Sequence, residues 1–269
     1  MEEPTTCYTH GHHESVLRSH RWRTAENSAA YLLPGLKPGL RLLDVGCGPG
    51  NITIDLASRV HPGRVIGIDR AETVVDTARE DATKRGATGV EFEVADVYAL
   101  PYDDGAFDIV HAHQVLQHLA DPVAALREMR RVCSADGVVA ARDGDYEAMT
   151  WFPENDGIAR WLDMYRTVAR GNSGEPDAGR RLLHWAHAAG FSDVRTSASA
   201  WCYATPDERE WWGGLWADRV TISALGDQAV EAGIATRSEL DAMADSWHRW
   251  AREPDGWFAV LHGEILCAP

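Results

Sequence analysis

The stretch from Arg41 to Arg59 constrains the fold more than any other. A short apolar strand pattern, Arg41 to Val45, runs into Asp44-Val45-Gly46-Cys47-Gly48-Pro49-Gly50 and straight on into a helical pattern that Asn51 is expected to cap. Glycines at this spacing let backbone approach a ligand closely, and the start of a helix offers N–H groups that nothing inside the helix uses. A strand, a glycine-rich turn and a helix in that order belong to layered α/β folds, in which ligands bind outside the carboxyl ends of the strands. The spacing discriminates among ligands. A dinucleotide fingerprint reads G-x-G-x-x-G, but after Gly46 and Gly48 the third position is Asn51 and the glycine comes one residue early, at Gly50. The acid at Asp44 also suits a cationic ligand better than a pyrophosphate.

The same alternation continues along the chain. Strands are expected at Arg64 to Asp69, Val90 to Val94, Phe107 to His113 and Gly137 to Arg142. Helices lie between them, over Ala71 to Arg85 with a stop at Gly86, and from Asp121-Pro122 onward with Val123, Leu126, Met129 and Val132 on one face. Asp177 then opens a helix that stops at Gly190, and Val194 to Tyr203 reads as a strand. Thr205-Pro206 starts a helix carrying Trp211, Trp212, Leu215 and Trp216, and Thr236-Arg237-Ser238-Glu239 has the form of a capping box. Trp257 to Cys267 closes the pattern as a strand antiparallel beside its predecessor. The expectation is an α/β protein with a doubly wound, mostly parallel, seven-stranded sheet. It forms a single domain over 1–269: N-terminal cap helices in 1–35, a ligand-binding core over 36–203 with a lid segment at 150–175, a helical lid insertion over 204–256, and the final strand over 257–269.

Composition narrows the partners. With 26 Lys and Arg against 41 Asp and Glu the net charge is -15, which opposes a phosphate-backbone footprint, so nucleic acid is not expected. No apolar run reaches the length of a membrane span, and the polar start from Met1 to His20 lacks the apolar centre of a signal peptide; the expectation is a soluble, cytoplasmic protein. Five scattered cysteines without a C-x-x-C pair indicate neither a disulfide framework nor zinc. The eleven tryptophans, most of them from Trp151 onward, are the compositional oddity. Aromatics at helical spacing usually form core, but Trp151, Trp211, Trp212 and Trp216 fall in the expected lid, where a hydrophobic or aromatic ligand needs a wall.

Two further strand tips carry acids. Asp69 ends the second strand, where nucleoside-binding folds place a carboxylate on the ribose hydroxyls; a helix cap for Ala71 onward is the plainer alternative. Asp96, in Ala95-Asp96-Val97 after the third strand, can accept from an exocyclic amine or be a simple turn residue. Leu43-Asp44-Val45-Gly46-Cys47-Gly48-Pro49-Gly50, Gly67-Ile68-Asp69, Ala95-Asp96-Val97-Tyr98-Ala99-Leu100-Pro101-Tyr102, Phe107-Asp108-Ile109-Val110 and His118-Leu119-Ala120-Asp121-Pro122 together resemble the class I S-adenosylmethionine (SAM) dependent methyltransferases, close to the UbiE/COQ5-like small-molecule methyltransferases. The resemblance covers roughly Leu36 to Arg142 well and the later half loosely. It implies a Rossmann-like methyltransferase fold with SAM as cofactor. Gly46 and Gly48 would lie against the methionine part, Asp69 with Arg70 at the ribose, Asp96 and Val97 at the adenine, and His113 with Gln114 near the sulfonium. The amino-terminal Tyr8-Thr9-His10-Gly11-His12-His13 would close over the cofactor, as such extensions do in the family.

Methyl transfer from a sulfonium is an in-line displacement that asks for alignment, exclusion of water and, for some acceptors, removal of a proton. His118 is the candidate catalytic base, His113 a candidate SAM contact and His111 a structural residue. Asp143-Gly144-Asp145 reads as a turn rather than a divalent-ion site, and no metal is expected. The function expected is transfer of methyl to an apolar or aromatic small molecule at oxygen, carbon or nitrogen. The competing reading is a SAM-binding cyclase, isomerase or regulatory protein that needs the same pocket. The oligomeric state is not encoded in any of these features.

Overall fold

The computed structural model describes residues 22–269, so the segment from Tyr8 to His13 lies outside the described residues. After α1 (Ala25–Ser28), capped by Thr24, the chain lays down β1 (Arg41–Val45), α2 (Asn51–Val60), β2 (Arg64–Asp69), α3 (Glu72–Lys84), β3 (Val90–Val94), β4 (Phe107–His113), α4 (Pro122–Val132) and β5 (Cys133–Gly144). The first five strands run parallel, with Leu43 opposite both Ile66 of β2 and Val110 of β4. Leu42 and Leu43 are both completely buried; adjacent residues of a strand point to opposite faces, so helices must cover the sheet on both sides, as parallel sheets require.

The second half continues with β6 (Thr150–Phe152), α5 (Asp156–Gly171), α6 (Leu182–Ala188), β7 (Asp193–Tyr203), α7 (Pro206–Ile222), α8 (Ala224–Glu231), α9 (Arg237–Arg252) and β8 (Trp257–Ala268). The strand order is β3-β2-β1-β4-β5-β8-β6, with β7 on the other side of β8. The doubly wound, mostly parallel sheet is the expected one. β8 enters antiparallel between β5 and β7, pairing Ala141 with Ile265 on one side and Thr196 with Ile265 on the other. Strand order reverses between β1 and β4, which opens a crevice at their carboxyl ends.

Several sequence expectations need correction. The sheet has eight strands rather than seven: Thr150–Phe152, expected to be part of a lid segment, pairs with Trp257–Ala259 as β6. Asn51 is the first residue of α2, not its cap; Gly50 holds the cap position at φ 84°, a left-handed backbone that glycine adopts without strain. Asp177 opens no helix. It accepts from the Glu147 N–H at 2.9 Å and pairs with Arg166 at 2.8 Å, and a short 3-10 turn at Gly179–Arg181 leads into α6 instead. Asp143 and Gly144 belong to β5, so their triplet with Asp145 is not a turn; Asp145 caps the 3-10 turn that follows. The capping boxes at Thr205 with Glu208 and at Thr236 with Glu239 form as the spacing predicts.

The tryptophan-rich half is a hydrophobic core of its own. Trp161, Trp216, Trp247 and Trp250 are fully buried; Trp161 meets Trp216 edge-on at 4.3 Å and Trp247 at 4.8 Å between ring centroids. Such edge-to-face pairs are worth about 0.5–1.5 kcal/mol each beyond the area they bury. Tyr203, Phe258 and Val260, from β7 and β8, belong to the same cluster, so these helices rest on the extended end of the sheet rather than standing off it. Trp151 is half-buried and stacks on Phe258 at 5.9 Å.

Candidate functional site

The glycine turn is pinned from behind before it can present anything in front. The Cys47 N–H donates to the Ile68 carbonyl at 2.9 Å, and the Gly48 N–H donates to Asp69 Oδ2 at 3.1 Å. Asp69 Oδ1 also accepts from Ala71 N–H at 3.0 Å. Asp69 therefore clamps the turn and closes a local turn onto Ala71, which holds the cap position of α3 without a side-chain cap bond, and each of its oxygens keeps a lone pair beyond these bonds. Gly46, at φ +66°, has no room for a side chain: a Cβ there would lie 2.4 Å from Val115 Cγ2. Gly46→Ala is expected to cost about 1–3 kcal/mol through the left-handed backbone and the clash together, measured as a lowered denaturant midpoint; an unchanged midpoint would show that Val115 moves aside freely.

In front of the turn lies a cavity of about 540 Å³. Its wall includes each residue expected from sequence to hold a cofactor or act in catalysis: Gly46, Gly48, Asp69, Arg70, Asp96, Val97, His113, Gln114 and His118. Asp96 Oδ1 accepts from the Tyr98 N–H at 3.0 Å, a local turn that orients its carboxylate. Asp44 lines the cavity but is engaged inward. It is 3% exposed, takes the Thr53 hydroxyl hydrogen bond at 2.6 Å and meets His111 Nδ1 at 2.7 Å. Asp44 thereby ties α2 to β4 from the cavity wall, with His111 buried in that contact.

The far half of the same cavity is aromatic. Trp201, Tyr203, Trp211, Trp212 and Trp216 line it together with Trp22, and Arg23 and Arg219 reach it. Of the four tryptophans expected to form a wall, Trp151 is absent from it. Trp201, Tyr203, Trp22 and both arginines carried no sequence signal that set them apart; Trp201 and Tyr203 alternate on β7, and that shared face was the available hint. Trp22 packs edge-on against Trp201 at 5.2 Å, and the Trp201 indole N–H donates to the Asn27 carbonyl at 2.7 Å, so the segment around α1 roofs this half. Arg23 Nη2 donates to Gln114 Oε1 at 2.6 Å, with Gln114 at φ 54°, and Gln114 Nε2 lies 2.8 Å from His262 Nε2.

His113, at the end of β4, is 5% exposed and neither ring nitrogen has a protein partner. Burial first, then the positive charges of Arg23 and Arg142, hold its imidazole well below the ordinary range. His118 is half-buried with Nε2 3.0 Å from Gln117 Nε2, and burial, reinforced by Arg23, pushes it down to about 3. Both rings are neutral at physiological pH, and His118 is a weak base there. Among the described residues no three His, Cys, Asp or Glu side chains converge as metal ligands, and no helix is long and apolar enough to cross a membrane.

Residues 36–195 match the family described as a methyltransferase domain. An uncharacterized methyltransferase of Schizosaccharomyces pombe is 34% identical over 99% of this chain and 98% of its own length. The 27-O-demethylrifamycin SV methyltransferase of Amycolatopsis mediterranei is 36% identical over 53% of this chain and half of its own. Among solved structures, a Haemonchus contortus phosphoethanolamine N-methyltransferase in complex with phosphomonomethylethanolamine and S-adenosylhomocysteine shares the fold with a TM-score of 0.55 at 17% identity, covering 87% of this chain and 50% of that one.

Proposed function

Because the chain belongs to the SAM-dependent methyltransferases, we propose that its cavity divides the reaction in two, with the cofactor along the tips of β1 to β3 and an apolar or aromatic small molecule in the tryptophan-lined half. The observation that carries this reading is the continuity of one cavity whose carboxylates, Asp44, Asp69 and Asp96, line the strand tips and whose five tryptophans line the remainder. Transfer to a small molecule is also what the name of the Amycolatopsis relative describes for that protein.

The residues present fit the cofactor. Asp69, already held by two N–H donors, has lone pairs to accept from a ribose diol. Arg70 stands beside it. Asp96 is set for an exocyclic amine, with Val97 as the apolar neighbour. Gly46 and Gly48 leave backbone bare for the methionine part. The neutral His113 and Gln114 at the end of β4 present no positive charge against a sulfonium. When bound, SAM supplies an electrophilic methyl group. The protein aligns the acceptor on the line of that displacement and keeps water out, which the roof formed by Trp22 and Arg23 and the cavity-facing side of α7 are placed to do. His118 Nε2 accepts from the Gln117 side-chain amide at 3.0 Å, so its ring is oriented by the protein and has little capacity to act as a resting base.

The test is to incubate the protein with SAM labelled in its methyl group and a metabolite extract. Label is expected in the organic-soluble fraction together with released S-adenosylhomocysteine. Label confined to polar products would overturn the acceptor class while leaving the family assignment intact. In a purified assay, Trp211→Ala is expected to raise the acceptor KM roughly tenfold through lost aromatic contact and to leave the KM for SAM unchanged; equal effects on both would remove Trp211 from the acceptor wall.

A further inference from the structure

A relay of hydrogen bonds runs along the cavity wall from the roof to β8. Arg23 Nη2 donates to Gln114 Oε1 at 2.6 Å, Gln114 Nε2 lies 2.8 Å from His262 Nε2, and His262 Nδ1 lies 3.1 Å from the Val260 carbonyl oxygen. The two ends fix its direction. A guanidinium group only donates and a carbonyl only accepts. His262 Nδ1 must therefore carry the proton, which in a neutral imidazole leaves a lone pair on Nε2. Gln114 must then turn its NH2 to that lone pair and its carbonyl oxygen to Arg23. His262 is completely buried, and burial first, then the positive charges of Arg142 and Arg23, hold its imidazole well below the ordinary range. The ring is neutral at physiological pH.

Gln114 is the residue whose orientation this decides. It follows the last residue of β4 on the cavity wall at φ 54°, a left-handed backbone that side chains disfavour, and its own N–H donates to the Arg142 carbonyl at 2.7 Å. The two ends of a primary amide are nearly the same size, so hydrogen-bond partners and not packing settle which end faces which. His262 settles it from β8, 148 positions along the chain. Its ring also meets Trp201 edge-on at 4.4 Å, and the Trp201 indole N–H donates to the Asn27 carbonyl at 2.7 Å. Both routes lead to the roof. We propose that His262 is a positioning residue: its Nε2 lone pair fixes the side chain of Gln114 beside the cofactor and, through Gln114, fastens Arg23 of the roof. This rests on the placement of Gln114 at the cofactor end of the cavity and adds the group that sets its orientation.

The test uses the full chain with 15N-labelled histidine rings, and S-adenosylhomocysteine as the cofactor probe. The nitrogen spectrum of the wild type is expected to contain a neutral ring protonated on Nδ1, assigned to His262 through its own backbone. Gln114→Glu should convert that ring to the doubly protonated form at neutral pH, because a carboxylate offers Nε2 a lone pair where the amide offered a hydrogen. By calorimetry, S-adenosylhomocysteine should bind His262→Phe, which keeps a ring but neither nitrogen, roughly tenfold more weakly than wild type. His262→Gln, whose amide oxygen can stand in for Nε2, should stay within about threefold of wild type. A His262 ring protonated on Nε2, or one whose spectrum is unchanged in Gln114→Glu, overturns the inference alone. Equal affinity in wild type and His262→Phe does the same, as does an equal loss in His262→Phe and His262→Gln. Failure of the wild type to bind S-adenosylhomocysteine overturns the cofactor-end reading and the positioning role with it. Because the protonated nitrogen is read on the wild-type chain, that measurement stands whether or not a variant folds.

Discussion

Asp69→Ala is expected to weaken S-adenosylhomocysteine binding by two orders of magnitude or more. A carboxylate accepting two hydroxyl hydrogen bonds contributes roughly 1.5–3 kcal/mol for each, and this one carries a second duty. Its oxygens also hold the Gly48 and Ala71 N–H groups at 3.1 and 3.0 Å, so the substitution releases the turn as well as the ribose. Asp69→Asn separates the two contributions. Its amide oxygen can still accept from one N–H, while its NH2 faces a donor where an acceptor is needed. Titration calorimetry should rank affinities as wild type, then Asn, then Ala. Unchanged affinity in Asp69→Ala would remove this residue from the cofactor site.

Asp143→Asn is expected to stabilise the protein at pH 8 by about 4 kcal/mol and to change little at pH 4. Asp143 is completely buried. Its Oδ1 accepts from the Gln117 N–H at 3.1 Å, and its Oδ2 has no partner. Burial pushes its carboxyl up to about 7, against the lowering effect of the Gln117 N–H and of Arg142 and Arg23. The folded state thus retains a proton that the unfolded chain gives up near pH 4. Between about pH 4 and pH 7 the unfolded state binds fewer protons than the folded one, so stability falls as pH rises through that window and is level above it. Asparagine keeps the Oδ1 acceptor and never ionises. Thermal melts at the two pH values should show the variant several degrees above wild type at pH 8 and near it at pH 4; the same offset at both would mean that Asp143 does not titrate in this range.

What was legible in the sequence was whatever the local backbone decides. The turn at Gly46, Gly48 and Gly50 needs left-handed φ values that few other residues take, and the capping boxes at Thr205 and Thr236 satisfy helix N–H groups within four residues, so both could be read without knowing the fold. The strand tips at Asp69 and Asp96 followed once the strands were placed. The residues that escaped notice depend on partners far along the chain. Arg23 meets Gln114 across 91 positions. Arg219 sits between Asp218 and Val220 in a helix whose spacing gives no hint that it reaches a cavity. Trp151 and Trp211 look alike in sequence, since a helical or alternating aromatic pattern is the same whether it faces core or ligand. Only the packing of α5, α7 and α9 onto β7 and β8 separates them. β6 is three residues long, too short for an alternating pattern to register, and the bonds of Asp44 to His111 and Thr53 lie behind the turn it adjoins, where sequence spacing gives no sign of them.

The place of β8 has a consequence for how the molecule assembles. The parallel strands β1 to β5, with the cavity wall at Gly46, Asp69 and Asp96, come from residues 41–144 and join neighbours that are mostly near in sequence. The tryptophan-lined half waits for Trp257–Ala268 to thread between β5 and β7, bringing His262 to within 4.4 Å of Trp201 and 6.3 Å of His113 between ring centroids. Contacts of such long separation form late, because the closure entropy of the intervening chain is met before they repay it. During refolding, fluorescence from the tryptophan cluster should therefore lag behind formation of the parallel strands β1 to β5, and the tryptophan-lined part of the cavity is the last to be completed.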